Sequence, residues 1–251
     1  MNGYPYLDCD VSSSLFAARE LVSLKLQGCT LKAPSWFVGF SKLTRLVLNN
    51  VYLPSDFFTH FLPKCPLLEQ SRLLHCDQFV NTEILAPSLK LLSIQSTLYR
   101  ICFKYAPLLS VVSILDADEF SDYRFTTFQQ YDPDMVALFT SLPELRQLTI
   151  GTGFLLVTDS LDKLLKAKDQ HGSGCCFQCL EELKIWGSRG MQVELDLIRF
   201  VLATAPLLCK IHIEPRSELN CDVVLKFLMQ LSRYERVSER AEIIYLWKYE
   251  G

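Results

Sequence analysis

The stretch Leu21-Val22-Ser23-Leu24-Lys25-Leu26-Gln27-Gly28-Cys29 places leucines at its first, fourth and sixth positions and a cysteine at its ninth. The same leucine spacing returns 22 residues later in Leu43-Thr44-Arg45-Leu46-Val47-Leu48-Asn49-Asn50. Weaker copies, with isoleucine, valine or serine at some leucine positions, begin at Leu68, Leu89, Leu109, Leu145, Leu180 and Leu208. The steps between successive starts are 22, 25, 21, 20, 36, 35 and 28 residues. The chain is therefore built from an internal repeat.

The spacing L-x-x-L-x-L-x-x-N/C with a period of about 20–29 residues is that of leucine-rich repeats. The second and third leucines of each copy should point inward from a short strand, because side chains alternate across a strand. A helix or an irregular turn then returns along the outside, and each repeat buries its apolar side only by stacking on its neighbours. The predicted fold is an α/β leucine-rich-repeat solenoid, a curved parallel β-sheet with outer helices.

Prolines support this register, because a proline suits the passage from an outer segment into a strand. Five of the eleven prolines stand two residues before the first leucine of a copy: Pro66, Pro87, Pro107, Pro143 and Pro206. Two apolar stretches, 57–62 and 134–139, are candidate return segments. Near the N/C position, Cys29, Asn49 or Asn50, and Cys76 are expected to bond to neighbouring turn backbone.

The two longest steps predict insertions. Residues 116–133 are acidic and aromatic and are expected to form a loop or an extra strand. Residues 158–168 place leucines on one side and lysines on the other, which predicts a helix.

The rhythm changes in the C-terminal third of the chain. Apolar spacing predicts a strand over 180–186, a helix over 193–204 and a strand over 208–213. A further helix is expected over 222–234, with Asn220 or Asp222 as its cap, and a strand over 241–246 closes the fold.

Four segments in this region, in this order, resemble the FBD domain of plant F-box/FBD/LRR-repeat proteins. They are Cys179-Leu180-Glu181-Glu182-Leu183-Lys184-Ile185, then Ile198-Arg199-Phe200-Val201-Leu202 with Ala205-Pro206-Leu207-Leu208, then Lys226-Phe227-Leu228, and finally Ser238-Glu239-Arg240-Ala241-Glu242-Ile243-Ile244. The similarity extends over essentially the whole chain. It implies leucine-rich repeats over 1–175 and an FBD domain over 176–251.

The resemblance also implies a function. Members of this family generally act as substrate-recognition subunits of SCF-type (cullin–RING) ubiquitin ligases, in which an F-box docks to the scaffold and the repeats hold the target. Nothing before Leu21 resembles an F-box, and residues 7–11 alternate like the strand of an earlier repeat. The repeats are therefore expected to be N-terminally incomplete, through a truncated gene model, a paralogue without the F-box, or a fragment. Docking to the SCF scaffold is expected only if an F-box is supplied upstream, and an uncapped first repeat predicts marginal solubility.

Composition excludes several other classes of protein. Hydrophobic residues make up 49% and charged residues 21%, as in a folded protein, and the net charge of −3 leaves no basic field for nucleic acid. Apolar runs such as 135–139 and 154–157 are too short to cross a membrane, and residues 1–8 do not resemble a secretory signal. The ten cysteines are therefore expected to be reduced thiols in the cytoplasm or nucleus.

Neither metal nor catalytic chemistry is expected. His171, Cys175, Cys176 and Cys179 form the only metal-like cluster, but a structural zinc site needs a second pair of ligands at a defined spacing. The sequence contains no phosphate loop, dinucleotide fingerprint, nucleophile elbow or His-Glu-x-x-His, and its four histidines are scattered. We therefore expect free thiols, no cofactor and no enzyme activity.

The side chains that alternate with the inward leucines should line the concave face of the solenoid and bind an unknown target protein. Trp186 is expected either to anchor the partner or to pack under the neighbouring FBD helix. Two alternatives are a small-molecule, hormone-like sensor and a free-standing LRR/FBD binder with no ligase role. The predicted partner-binding residues are Lys25, Gln27, Arg45, Asn49, Arg72, Gln95, Lys184, Trp186 and His212.

Overall fold

The computed structural model describes residues 9–54, 57–76, 82–96, 101–116, 141–156, 177–216 and 219–246. Packing divides the chain into two compact units, Met1–Leu109 and Ser110–Gly251, called here the first and the second unit. Among the described residues no helix has the length and apolar character needed to span a membrane.

Within its described residues, the first unit is built on six parallel strands, four of which lie at predicted copies. Strands β1, β2, β3 and β5 pair in that order. Leu24 is opposite Leu46, Leu46 is opposite Ser71, and Ser71 is opposite Leu92. Strands β4 and β6 pair with each other in a second, smaller parallel ladder. The strands are β1 (Ser23–Gln27), β2 (Arg45–Asn49), β3 (Gln70–Leu74), β4 (Thr82–Leu85), β5 (Leu91–Gln95) and β6 (Ile101–Tyr105).

Phenylalanines fill the space between this sheet and the outer segments. The ring centroids of Phe37 and Phe40 lie 4.9 Å apart, those of Phe37 and Phe61 5.4 Å, and those of Phe57 and Phe61 5.0 Å. The outer segments described here are short: a 3-10 turn at Ser13–Ala17, a π-type turn at Phe57–Phe61 and a 3-10 turn at Leu62–Lys64. Large aromatic side chains thus provide the packing that a full helix would otherwise supply.

The second unit continues the repeat with strands and genuine helices. Its strands pair in chain order, all parallel, and their inward residues Val112, Leu148, Leu183 and Ile211 are buried. The strands are β7 (Val111–Leu115), β8 (Gln147–Gly151), β9 (Glu182–Ser188), β10 (Lys210–Pro215) and β11 (Glu242–Tyr245). The helices are α1 (Thr152–Leu156), α2 (Gln192–Thr204) and α3 (Cys221–Leu231).

A recurring backbone contact sets the register of the strands. The carbonyl that follows the first leucine of a copy accepts hydrogen bonds from two successive amides of the next copy. In the first unit, Thr44 O accepts from the amides of Glu69 at 2.9 Å and Gln70 at 3.0 Å. In the second unit, Arg146 O accepts from Glu181 at 2.8 Å and Glu182 at 3.0 Å. Because the contact does not depend on what lies between the copies, steps of very different length keep one register.

The residue that directly follows each of β1, β2 and β3 has a left-handed backbone conformation. Gly28, Asn50 and His75 have φ values of 63°, 51° and 51°. The next residues, Cys29, Val51 and Cys76, turn inward and are buried. The Cys76 thiol donates to the carbonyls of Leu48 at 3.7 Å and Leu74 at 3.4 Å, as expected for the N/C position.

The predicted α/β leucine-rich-repeat fold class is confirmed, with a strand at every copy. Strand β11 and the helices α2 and α3 are confirmed within a few residues, and Asn220 caps α3 by accepting from the amide of Asp222 at 2.9 Å. Strands β4 and β6 were not predicted. The expected return segment at 134–139, the insertion beyond Asp116 and the helix at 158–168 lie outside the described residues.

Candidate functional site

The outward side chains of β1, β2, β3 and β5 form one surface, called here the first-unit strand face. Pairing sets them in three rows across the strands. The rows are Ser23, Arg45, Gln70 and Leu91; then Lys25, Val47, Arg72 and Ser93; then Gln27, Asn49, Leu74 and Gln95. All of these side chains are exposed or half-buried. The structure therefore brings six of the predicted binding residues onto one surface.

Three of those six are cations grouped around Val47. Lys25 and Arg72 flank Val47 in the middle row, and Arg45 stands two residues earlier on the strand of Val47. All three are exposed. Within the part of the chain that the structure describes, none of the three has an ion pair or hydrogen bond from its side chain to another residue. No described residue neutralises these three charges.

The amides among the predicted residues lie where the strands end. Gln27 is opposite Asn49, and Gln95 is opposite Leu74. An amide side chain both donates and accepts hydrogen bonds. This row can therefore bond to the peptide backbone of a bound segment.

On the outward face of the second unit, one carboxylate pairs with two of the predicted binding residues. Lys184 is opposite His212, and the Oε1 atom of Glu182 lies 3.2 Å from Lys184 Nζ and 3.1 Å from His212 Nε2. Glu182 is two residues before Lys184 on the same strand, so both side chains lie on one face. Alternation with the buried Leu183 places Glu182 in the same outward row, but its pairing depends on the strand register and not on spacing in the sequence.

Trp186 ends the outward row of β9. It is opposite Gly151 on one side and Glu214 on the other, and its side chain is half-buried. Its carbonyl accepts a hydrogen bond from the Thr152 hydroxyl at 3.2 Å. The backbone of Trp186 is therefore held in place beside helix α1.

A buried carboxylate organises the turn that follows β9. Glu194, fully buried in the first turn of α2, accepts from the Ser188 hydroxyl at 2.7 Å and the Thr152 hydroxyl at 3.1 Å. It also accepts from the amides of Arg189 at 2.8 Å, Gly190 at 3.0 Å and Met191 at 3.3 Å. Burial, with the charge of Glu194 as a second cause, raises the pKa of Tyr245 to about 12. The network joins β9, α1 and α2.

A second carboxylate closes the neighbouring turn. Asp116 follows β7 and accepts from the amide of Gly153 at 2.9 Å. A Cβ atom at Gly153 would lie 2.5 Å from this carboxyl group, so any larger residue would force the Asp116 side chain to shift. Burial raises the pKa of Asp116, and the amide bonds and the Arg189 charge lower it in part.

A groove of about 290 Å³ lies on the loop side of the first unit, away from the strand face. Phe37, Phe57 and Phe61 line it together with Lys32, Lys64 and His60. Lys64 donates to the carbonyl of Phe37 at 2.9 Å, and its Nζ lies 5.5 Å from the centroid of that ring. This groove combines an apolar lining with cationic side chains.

The cysteines that the structure describes are all free thiols: Cys9, Cys29, Cys65, Cys76, Cys102, Cys179, Cys209 and Cys221. Burial raises the pKa of Cys65 to about 11 and also raises that of Cys29, which disfavours their reactive thiolate forms. Within these residues no group of His, Cys, Asp and Glu could hold a metal ion. His171, Cys175 and Cys176 of the metal-like cluster lie outside the described ranges.

Comparison with known proteins identifies relatives of similar sequence. The family model described as "FBD-associated F-box protein At5g56370, LRR repeats" matches residues 1–128. The F-box/FBD/LRR-repeat protein At1g13570 of Arabidopsis thaliana is 25% identical over 296 aligned positions, which cover 94% of this chain and 70% of the relative. The FBD-associated F-box protein At5g38590 of the same plant is 27% identical over 192 positions, 71% of this chain and 43% of the relative.

No solved structure matches the chain. The family model covers half of the chain, and the repeats that it describes are the strands and turns reported above. This chain therefore belongs to the plant family of F-box/FBD/LRR-repeat proteins.

Proposed function

We propose that the chain is the target-recognition part of an SCF-type ubiquitin-ligase adaptor. Family membership points to a protein-interaction role, and the names of the relatives describe F-box, FBD and LRR modules without naming a catalytic activity. The proposal rests on one structural observation. Lys25, Arg45 and Arg72 stand on one exposed face and have no side-chain partner within the described residues.

The division of labour along the chain is part of this proposal. Leucine-rich repeats over 1–175 would hold the target, and the FBD domain over 176–251 would extend the sheet and close its end. In the second unit, Lys184, Trp186 and His212 would contribute to binding as a preassembled polar row, because Glu182 already fixes two of them. The protein would act in the cytoplasm or nucleus, where its thiols stay reduced.

Two other functions predict different results. A free-standing LRR/FBD binder would use the same strand face without ligase subunits. A small-molecule sensor would use an apolar pocket, and the groove beside Phe37 is close to the lower size limit of ligand sites. That groove faces the loop side, so it does not support a ligand held on the strand face. A thermal shift with a plant hormone, abolished by Phe61→Ala, would favour the sensor.

Affinity purification of the tagged protein from plant tissue, followed by mass spectrometry, tests the adaptor proposal. Recovery of cullin-ligase subunits together with a reproducible target supports it. Recovery of a target without ligase subunits assigns the chain to the free-standing binders. If neither is recovered under conditions that preserve known adaptor complexes, the interaction role is wrong.

A further inference from the structure

The charge on the first-unit strand face is of one sign. Its three rows contain Lys25, Arg45 and Arg72 and no aspartate or glutamate. Acidic residues of this unit lie elsewhere: Glu69 and Glu83, for example, pair with Lys90 at 2.9 Å and Lys104 at 3.3 Å. Among the described residues, the acids of this unit that form ion pairs do so off the face, so they do not offset its positive charge.

This pattern differs from the charge of the whole chain. Residues 1–109 contain ten lysines and arginines against seven aspartates and glutamates, a net charge of +3. Residues 110–251 contain fifteen lysines and arginines against twenty-one aspartates and glutamates, a net charge of −6. A cationic face within an acidic protein favours a partner of opposite charge over a neutral one.

The geometry of the face limits the shape of that partner. Adjacent strands are spaced by about 4.8 Å, so Lys25 and Arg72, two strands apart, are separated by roughly 10 Å at their backbones. Arg45 lies roughly 7 Å along its strand from the line that joins them. Crossing all four strands requires roughly 14 Å, which an extended peptide covers in about five residues.

From these relationships we infer that the first-unit strand face binds an extended acidic segment of the target protein. Carboxylates of the segment pair with Lys25, Arg45 and Arg72, and the arginines offer two parallel donors to one carboxylate. The amides of Gln27, Asn49 and Gln95 bond to the backbone of the segment. The inference rests on the proposed function and names the chemistry of the partner.

Fluorescence anisotropy with a labelled peptide of alternating glutamate and serine tests this inference on the full chain. The test variant is K25Q/R45Q/R72Q. The control variant, K42Q/K90Q/K104Q, removes three charges that pair with Glu20, Glu69 and Glu83 off the face. The three face residues are exposed, and the exposed ion pairs of the control residues contribute little to stability, so both variants should fold, which circular dichroism verifies.

The expected result is that the face variant binds the glutamate peptide about tenfold more weakly than the wild type, with a smaller dependence on salt. The control variant should bind within about twofold of the wild type. A lysine–serine peptide should not bind. Equal weakening in both variants would show attraction by net charge alone and would overturn the inference. So would undiminished binding by the face variant.

Two further measurements separate this inference from the proposed function. If the K25Q/R45Q/R72Q protein recovers the same target from plant tissue as the wild type, the inference is wrong while the interaction role stands. If the wild type recovers no target, the proposed function fails whatever the peptide does. Sedimentation of the chain alone checks a second copy as the occupant, and self-association lost in the face variant would also overturn the inference.

Discussion

The Ser188 hydroxyl donates a 2.7 Å hydrogen bond to Glu194, and this buried contact joins the end of β9 to the first turn of α2. The carboxylate accepts four further hydrogen bonds and has no exposed surface. Helix α2 is therefore positioned by a polar network as well as by its buried apolar side.

Replacing Glu194 by alanine should lower the free energy of unfolding by roughly 3 to 5 kcal/mol, because the Ser188 hydroxyl and three amides lose their acceptor and the Thr152 hydroxyl keeps only the Trp186 carbonyl. Glu194→Gln should cost less, since one acceptor oxygen remains. Urea unfolding measures both. Glu235→Ala, on an exposed side chain, is the matched control and should change stability by less than about 0.5 kcal/mol. Equal losses in Glu194→Ala and the control would show that the network is dispensable.

Ser71 occupies an inward position where neighbouring copies have Leu46 and Leu92, and its buried hydroxyl has no partner among the described residues. Ser71→Ala removes this unsatisfied group and should raise the free energy of unfolding by about 1 kcal/mol. Ser93→Ala, on the outward side of the adjacent strand, should be close to neutral. Thermal and urea unfolding of the two variants measure these changes. A lower free energy of unfolding for Ser71→Ala than for the wild type would contradict the prediction.

Two glycines with positive φ should respond differently to alanine. Gly39 has φ of 125°, and a Cβ there would lie 2.1 Å from the Lys64 carbonyl oxygen, so Gly39→Ala should cost roughly 3 kcal/mol or more. Gly187 has φ of 70° and nothing within 4 Å of a Cβ, so Gly187→Ala should cost about 1 kcal/mol of backbone strain. Denaturant unfolding compares them, and equal costs would show that the close approach at Gly39 relaxes.

Asp116 predicts a pH dependence. Burial raises its pKa, so the folded protein holds this proton more tightly than the unfolded chain. The contribution of Asp116 to stability therefore falls as the pH rises from the unfolded value through the raised one. Asp116→Asn keeps an acceptor for the Gly153 amide and cannot ionise. The difference in the free energy of unfolding, variant minus wild type, should therefore be largest at pH 7 and shrink toward pH 4. Urea unfolding across this range measures the difference, and a constant difference would contradict the prediction.

The strands and long helices were predictable because their signal is local. Leucine spacing locates every strand of the repeat, and a helical period locates α2 and α3. The pair β4 and β6 was missed, although Thr82-Glu83-Ile84-Leu85 alternates between buried and exposed positions. These two strands pair with each other outside the leucine repeat, so the leucine spacing does not locate them.

The charged groups on the outward strand faces, and their partners, were only partly predictable. Alternation identified Lys25, Arg45 and Arg72 as outward residues, but that none of them pairs with another described side chain follows from the three-dimensional positions of the described acids. The pairing of Glu182 with Lys184 and His212 follows from strand register. The burial of Glu194 follows from how residues 187–191 turn back over the start of α2, which no spacing in the sequence indicates.

In successive repeats, one backbone carbonyl accepts hydrogen bonds from two amides of the next copy, and this has a consequence for biosynthesis. In the first unit, strands β2, β3 and β5 each pair with a strand that starts 21 to 25 residues earlier in the chain. A strand leaving the ribosome therefore finds its template already synthesised, and the sheet can grow by one strand at a time in the order of translation. Nascent chains stopped after Asn49 and after Gln95 should accordingly differ by strands β3 and β5, which add in turn to the edge formed by β2.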